Sequence, residues 1–292
     1  MSEWIDRIPP VDQTLAVGLL ASAAVALAVR HRGGRFRRLV GWVGFSLALA
    51  VVLVCLSRAR PWISIPLLGA LMFVSLRTWF FVTPVRPGDR SAILAAYLAI
   101  PLALYTGFVG SSSTYLAVIP AAAFLILPFL LALSPQKAGW LDSLGRMLLG
   151  VLVFVFCASH LALLVHGQAR GLPEMFGVFV LSAELPQRLA GRYGRGSGWL
   201  GPSVGVVAGL AVATAVGFAC GGWWGFVPED AARAGVLVVA GVTMGGFVHE
   251  AIVGDLGAGT TGSRVNRTSL LDRSIPALYA APFFFHYWNH FA

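Results

Sequence analysis

The feature that most limits what this chain can become is the recurrence of apolar runs about as long as a bilayer is thick. Crossing a hydrocarbon core of about 30 Å takes roughly 20 helical residues. Runs of that length fall near 14–30, 39–57, 62–82, 91–110, 114–134, 147–165, 173–190, 203–226, 232–254 and 269–291. In lipid every backbone N–H and C=O must be satisfied inside the protein, so helices or a closed barrel are the choices, and the alternating strands of a barrel are absent from the pattern. The expectation is an all-α polytopic membrane protein of about ten helices. It is read as a single transmembrane domain over 1–292, in which residues 1–170 carry no chemistry that can be named and residues 171–292 carry the charged motifs.

Composition agrees. With 58% apolar and 11% charged residues, the chain has too little polar surface to coat a soluble globule of 292 residues. Its formal charge of +9 comes from basic residues set in the short gaps between apolar runs. That placement favours anionic lipid and phosphorylated ligands over nucleic acid as partners. The three cysteines, Cys55, Cys157 and Cys220, all lie inside apolar runs and imply no disulfide framework. "MSEWIDRIPPVDQ" ahead of the first run has three acids and one Arg, unlike the basic start of a secretory signal, so that run reads as a retained helix.

Short cytoplasmic loops should hold the excess of Lys and Arg. With ten helices and the N-terminus outside, 16 of the 21 basic residues fall in inner segments. The expected location is the cell (inner) membrane. In this topology "SAELPQRLAGRYGRGSG" (182–198), "VGDLGAGTTGSRVNR" (253–267) and "LLDRS" (270–274) all reach the cytoplasmic face. Glu184, Asp255 and Asp272 would then stand among Arg192, Arg195, Arg264, Arg267 and Arg273, a mixture suited to divalent cations and phosphates.

Each motif also has a structural reading. "SLLD" (269–272) spells a helix capping box. Glu184 precedes Arg188 by four residues, an intrahelical ion-pair spacing, with Pro186 between them expected to kink or break the helix. "GAGTTG" (257–262) has the letters of a dinucleotide fingerprint but follows a membrane helix and opens no βαβ unit. "HEAIVGD" (249–255) lacks the second His of a zinc-protease helix, Val253 standing in its place. Glu250 and Asp255 are about 140° apart around a regular helix and could share a site only if it unwound near Gly254. In "HYWNH" (286–290), His286 and His290 fit an interfacial aromatic belt better than a metal pair. His160, His166 and Arg77 read as packed or snorkelling residues.

The C-terminal 120 residues resemble the CDP-diacylglycerol synthases (phosphatidate cytidylyltransferases). "VGDL" (253–256) is similar to that family's Gly-Asp-Leu, "LLDRSIPAL" (270–278) to its closing Asp-Arg segment, and "AELPQRLAGRYG" (183–194) to its acidic helix ending in Gly-Arg or Gly-Lys. "SHLALLVHG" (159–167) resembles a further stretch. Glu184 stands where the family has Asp, "GPSVGVVAGL" (201–210) replaces a box containing Lys and Glu, and the segment between Asp255 and Asp272 is about ten residues shorter.

The resemblance implies a nucleotidyltransferase of phospholipid biosynthesis that joins CTP to phosphatidic acid or a similar anionic lipid. It assigns Mg²⁺ to Glu184, Asp255 and Asp272, catalysis to Asp255, Asp272 and Arg273, and phosphate binding to Arg192, Arg195, Arg264 and Arg267. A homodimer is compatible with it. Two other classes stay open at this point: a family member without catalysis that binds or scaffolds lipid, and a membrane transporter.

Overall fold

Long apolar runs without water to bond their amides become helices, and the computed structural model is helical throughout its described parts. It describes residues 48–83, 85–109, 112–166, 171–193, 200–256 and 269–291, with backbone alone at 109, 112–114, 191–193, 200–201 and 269–273. No strand occurs among the described residues. The helices are α1 (Ala48–Arg58), α2 (Pro61–Val82), α3 (Arg90–Val109), α4 (Ser112–Leu133), α5 (Trp140–Val151), α6 (Ala158–His166), α7 (Leu172–Tyr193), α8 (Leu200–Cys220), α9 (Pro228–Asp255) and α10 (Ser269–Phe291). A π-helical turn, Leu152–Cys157, joins α5 to α6, so that Trp140–His166 is one continuous span.

Six spans among the described residues are long and apolar enough to cross a membrane: α2, α3, α4, α5 to α6, α8 with its following turn, and α9. The chain is a membrane-embedded helical protein. Its exposed surface says the same, because Trp62 and Phe81 on α2, Leu125 and Phe129 on α4 and Trp223 beyond α8 are each at least 60% exposed. Such a surface would drive association in water. The run expected near 14–30 lies outside the described residues, as does the part of the run near 39–57 that precedes α1.

The chain divides into two compact units. One holds residues 60–163 and 246–282. In it α2 buries Ser64, Leu68, Met72, Leu76 and Trp79, a stripe at helical spacing, while α4 buries Tyr115, Ile119, Ala123, Leu127 and Leu131 four residues apart. Trp79 crosses to α5, where its Nε1 donates to the Arg146 carbonyl at 2.9 Å. Gly150 makes room, since a Cβ there would come within 2.5 Å of the indole.

At one end of this unit Arg86 clasps two loops together. Its guanidinium donates to both oxygens of Asp89, at 2.8 and 2.9 Å, and also to the carbonyls of Gln136 and Ala138. The α2–α3 and α4–α5 connections therefore lie at the same end, as alternating crossings require.

The π turn is held by a second polar group. Widening the helix at Leu152–Cys157 leaves the Phe156 carbonyl open to side chains, and it accepts from Ser159 Oγ at 2.7 Å, His160 Nδ1 at 2.8 Å and Tyr115 OH at 3.2 Å. Tyr115 OH also bonds Ser159 Oγ and meets His160 Nδ1 at 3.1 Å. His160 is fully buried there, so the packed reading of this residue holds.

The other unit holds residues 1–59, 164–245 and 283–292. Here small residues bring helices close, as is usual where lipid offers no hydrophobic drive between them. A Cβ on Gly205 would sit 2.7 Å from the Gln187 Cα of α7, and one on Gly217 would sit 2.5 Å from the Ala232 backbone of α9. Phe176, Phe179 and Phe284 form an aromatic core with Trp224. Gly225, at φ 81°, makes the left-handed turn that ends the Gly221–Trp224 3₁₀ turn before α9 opens at Pro228. Acidic Glu229 and Asp230 in the first turn of α9 suit its positive end.

One expectation fails in part. Pro186 does not break α7, which runs on to Tyr193. Proline removes only the bond to the Ser182 carbonyl, and Gly205 and Gly209 let α8 brace α7 on both sides of it. The condition for Glu250 and Asp255 to share a site is not met, because α9 stays helical through Gly254 to Asp255 and keeps them on different faces.

Candidate functional site

The carboxylates singled out by the sequence sit on helices in three different settings. Glu184 lies in the second half of α7 and is 4% exposed. A buried carboxylate is costly unless something holds it, so burial alone marks it off from a solvated surface acid. The helix around it is fixed from two sides. A Cβ on Gly209 would lie 3.4 Å from the Ala183 carbonyl, which puts α8 against the residue just before Glu184. One turn on, Gln187 Nε2 donates to Thr243 Oγ1 of α9 at 2.9 Å, and Thr243 Oγ1 in turn donates to the Val239 carbonyl at 2.7 Å.

Asp255 is the last residue of α9 and is exposed. Asp272 and Arg273 fall in the first turns of α10, where the structure describes the backbone alone; the capping geometry expected of "SLLD" lies outside the described residues. Asp255 and Asp272 belong to one compact unit and Glu184 to the other. Arg192 is in the last turn of α7, also described by backbone alone, and Arg195, Arg264 and Arg267 lie outside the described residues.

What the arrangement can do is set by its donors. Carboxylate oxygens are hard ligands that suit Mg²⁺ or Ca²⁺ rather than zinc. Among the described residues no three His, Cys, Asp or Glu side chains gather to hold a metal, a comparison that does not reach Asp272. A position at the C-terminal end of one helix and another at the start of the next are places from which acids can meet ions and phosphates arriving from water.

The far ends of these helices form a different surface. Tyr287 OH of α10 donates to Asp230 of α9 at 3.2 Å, Arg233 pairs with Asp230 at 3.1 Å, and the rings of Phe226 and Trp288 meet at 4.1 Å. His286 and His290 stack with centroids 6.0 Å apart. These contacts gather the aromatic and polar side chains of "HYWNH" against the start of α9. In the same unit Arg58, closing α1, approaches Glu174 at 3.7 Å in the first turn of α7.

Sequence reasoning missed several of these contacts. Gln187 and Thr243 carried a weak signal as isolated polar residues in apolar helices. Arg86 and Asp89 carried a stronger one in their i,i+3 spacing.

Fold and site together define a membrane-embedded, all-helical protein with acidic and basic side chains at the ends of three of its helices. No family model, no curated protein and no solved structure matches the chain. The resemblance to the cytidylyltransferases rests on the motifs themselves.

Proposed function

We propose that the protein is a membrane cytidylyltransferase of the CDP-diacylglycerol synthase kind, acting on phosphatidic acid or a related lipid phosphate. The observation that carries this reading is the position of its acids. Asp255 closes α9 and Asp272, followed by Arg273, opens α10, so that sixteen intervening residues bring the chain from one helix end to the next. Buried Glu184 on the motif-bearing α7 supports it.

In this reading the chain has about ten crossings, lies in the cell (inner) membrane and keeps its N-terminus outside. The contact of the α9 start with the α10 end, through Asp230 and Tyr287, sets those two ends at one level, and the excess of Lys and Arg expected in inner segments supports reading that level as the outer one. A chain that enters α9 and leaves α10 at one level turns back at the other, which in this reading would be the cytoplasmic level of Asp255 and Asp272.

The reaction joins two anions. A phosphate oxygen of the lipid attacks the α-phosphorus of CTP, a new phosphoanhydride bond forms, and the bond to the β-phosphate breaks to release pyrophosphate. Asp255 and Asp272 would hold Mg²⁺, whose charge would screen these anions and favour departure of pyrophosphate, and Glu184 is the third acid that the resemblance assigns to the metal. Arg192, Arg264 and Arg273 would grip phosphate oxygens through paired N–H donors, with Arg195 and Arg267 as second candidates. Charges at helix ends let the headgroup react at the boundary while its acyl chains stay in lipid.

The test is to purify the protein in detergent, supply CTP, Mg²⁺ and phosphatidic acid, and follow pyrophosphate. Release that disappears in Asp272→Asn supports the proposal. Release that is equal in that variant, or none from the parent protein, rejects it. CTP binding without turnover would instead favour a non-catalytic lipid-binding role.

A further inference from the structure

Four helix ends meet at the Arg86 clasp: the close of α2, the start of α3, the close of α4 and the start of α5. The clasp engages acceptors. Both carboxylate oxygens of Asp89 and the carbonyls of Gln136 and Ala138 accept from Arg86, and the Ala132 carbonyl accepts from Lys137 Nζ. Asp142, the acid in the first turn of α5, is paired with Arg146 at 2.9 Å.

The side chains left over are donors. Arg90, the first residue of α3, is exposed and has no partner among the described residues. Lys137 is exposed in the α4–α5 loop and keeps N–H donors beyond the one given to Ala132. The clasp holds these two cations near each other, because Arg90 follows Asp89 and Lys137 stands between Gln136 and Ala138. In the same loop the hydroxyl of Ser134, a residue only 5% exposed, has no hydrogen-bond partner among the described residues, and neither has Trp140 Nε1. The Ser134 hydroxyl is aimed at the start of α3: a Cβ on Gly88, two residues before that helix, would lie 2.7 Å from it. Trp140 opens α5, whose N-cap is Gly139, a residue with no side chain to bond the first-turn amides.

Two positive helix ends, two exposed cations and two unengaged buried donors suit an anion such as phosphate. The neighbouring residues select its source. Phe81 at the close of α2, Leu133 at the close of α4 and Leu141 in the first turn of α5 are each more than 60% exposed. A soluble phosphate gains nothing from these side chains, whereas a lipid brings acyl chains to them. A choline or ethanolamine headgroup would set its ammonium beside acids that are already paired, so net charge favours an acidic lipid over a zwitterionic one.

We propose that this end of the unit seats an acidic phospholipid, its phosphate held by Arg90 and Lys137 and its acyl chains lying along Phe81, Leu133 and Leu141. Arg90 offers paired N–H donors to the phosphate oxygens and Lys137 a mobile point charge. The seat is separate from Glu184, Asp255 and Asp272, and it operates without turnover of any nucleotide.

The test uses the full-length protein in phosphatidylcholine nanodiscs containing a minor share of phosphatidylglycerol with a diazirine near the top of one acyl chain. Irradiation should label the peptides containing residues 81–90 and 133–141 at least fivefold more than phosphatidylcholine carrying the same diazirine does. A Lys or Arg beside acidic headgroups contributes about fivefold in affinity. Arg90→Gln and Lys137→Gln should therefore each cut the label by about that factor, while Arg90→Lys and Lys137→Arg keep most of it, which separates loss of charge from loss of fold. Arg233→Gln, an exposed position in the other unit, should leave the label unchanged. Equal labelling by the two lipids, or labelling indifferent to both Gln variants, overturns the proposal. So does protection by inorganic phosphate as complete as that by unlabelled phosphatidylglycerol, which would make this a site for a soluble anion.

Discussion

Replacing Arg86 by Met should be among the most damaging single changes in the unit that holds it. The Arg86 side chain is 9% exposed and the Asp89 side chain 0%. The guanidinium satisfies both carboxylate oxygens and two carbonyls of the α4–α5 loop at once. Taking it away leaves a buried carboxylate uncompensated, which costs about 3–5 kcal/mol where a buried pair is broken from one side. Met keeps most of the aliphatic stem, so little of the loss comes from packing. Asp89→Asn should cost less, because the amide can still accept one of the Arg86 bonds, and the double variant should be more stable than the two single losses added together by about 1.5 kcal/mol or more. The assay is unfolding in mixed micelles with increasing SDS, followed by circular dichroism on both single variants and the pair. A loss below about 1 kcal/mol for Arg86→Met, the range of solvent-exposed pairs, would refute the reasoning that the clasp is buried and holds the two loops together.

Tyr115→Phe should cost only about 0.5–1.5 kcal/mol in the same assay, because Ser159 and His160 each keep a bond to the Phe156 carbonyl and no buried group is orphaned; a loss above about 3 kcal/mol would contradict that. Gly217→Val should lower stability by at least about 1–3 kcal/mol through collision with the Ala232 backbone, whereas Gly222→Ala, which meets nothing within 4 Å, should stay within about 0.5 kcal/mol. A thermal melt of both proteins in detergent gives the comparison, and equal melts would show that α8 and α9 are not in tight contact. In a chain stripped of its native cysteines, Arg60→Cys should react with an impermeant maleimide from outside the cell and Lys137→Cys only after permeabilisation. The reverse pattern would invert the proposed orientation.

Much of the fold was legible because membrane crossing leaves few choices. The runs expected at 62–82, 91–110, 114–134 and 269–291 fall on α2, α3, α4 and α10 within two residues at each end. The run at 147–165 underestimates its helix, which begins at Trp140, because Asp142 and Arg146 look like loop residues yet pair at 2.9 Å on one helix face. Proline misled the reading at Pro186, where the expected break yields to packing in a medium that punishes unbonded backbone. The loop carbonyls that Arg86 reaches and the Tyr115 cluster were not legible at all. Their partners lie 41 to 52 positions away, and no local period reports which loops or helices meet. For the candidate site, sequence order identified Glu184, Asp255 and Asp272 through motif resemblance, and the structure adds that Glu184 is buried and that Asp255 ends its helix.

In the proposed reaction a nucleotide's α-phosphate ends up on a membrane lipid. Incubating the purified protein with CTP labelled with ³²P at the α-phosphate, Mg²⁺ and dioleoyl phosphatidic acid, then extracting into chloroform, measures that transfer. Labelled lipid should form with the parent chain and drop at least a hundredfold in Glu184→Gln and in Asp255→Asn. Label that stays in the aqueous phase with the parent chain, or that enters lipid equally with both variants, would contradict it.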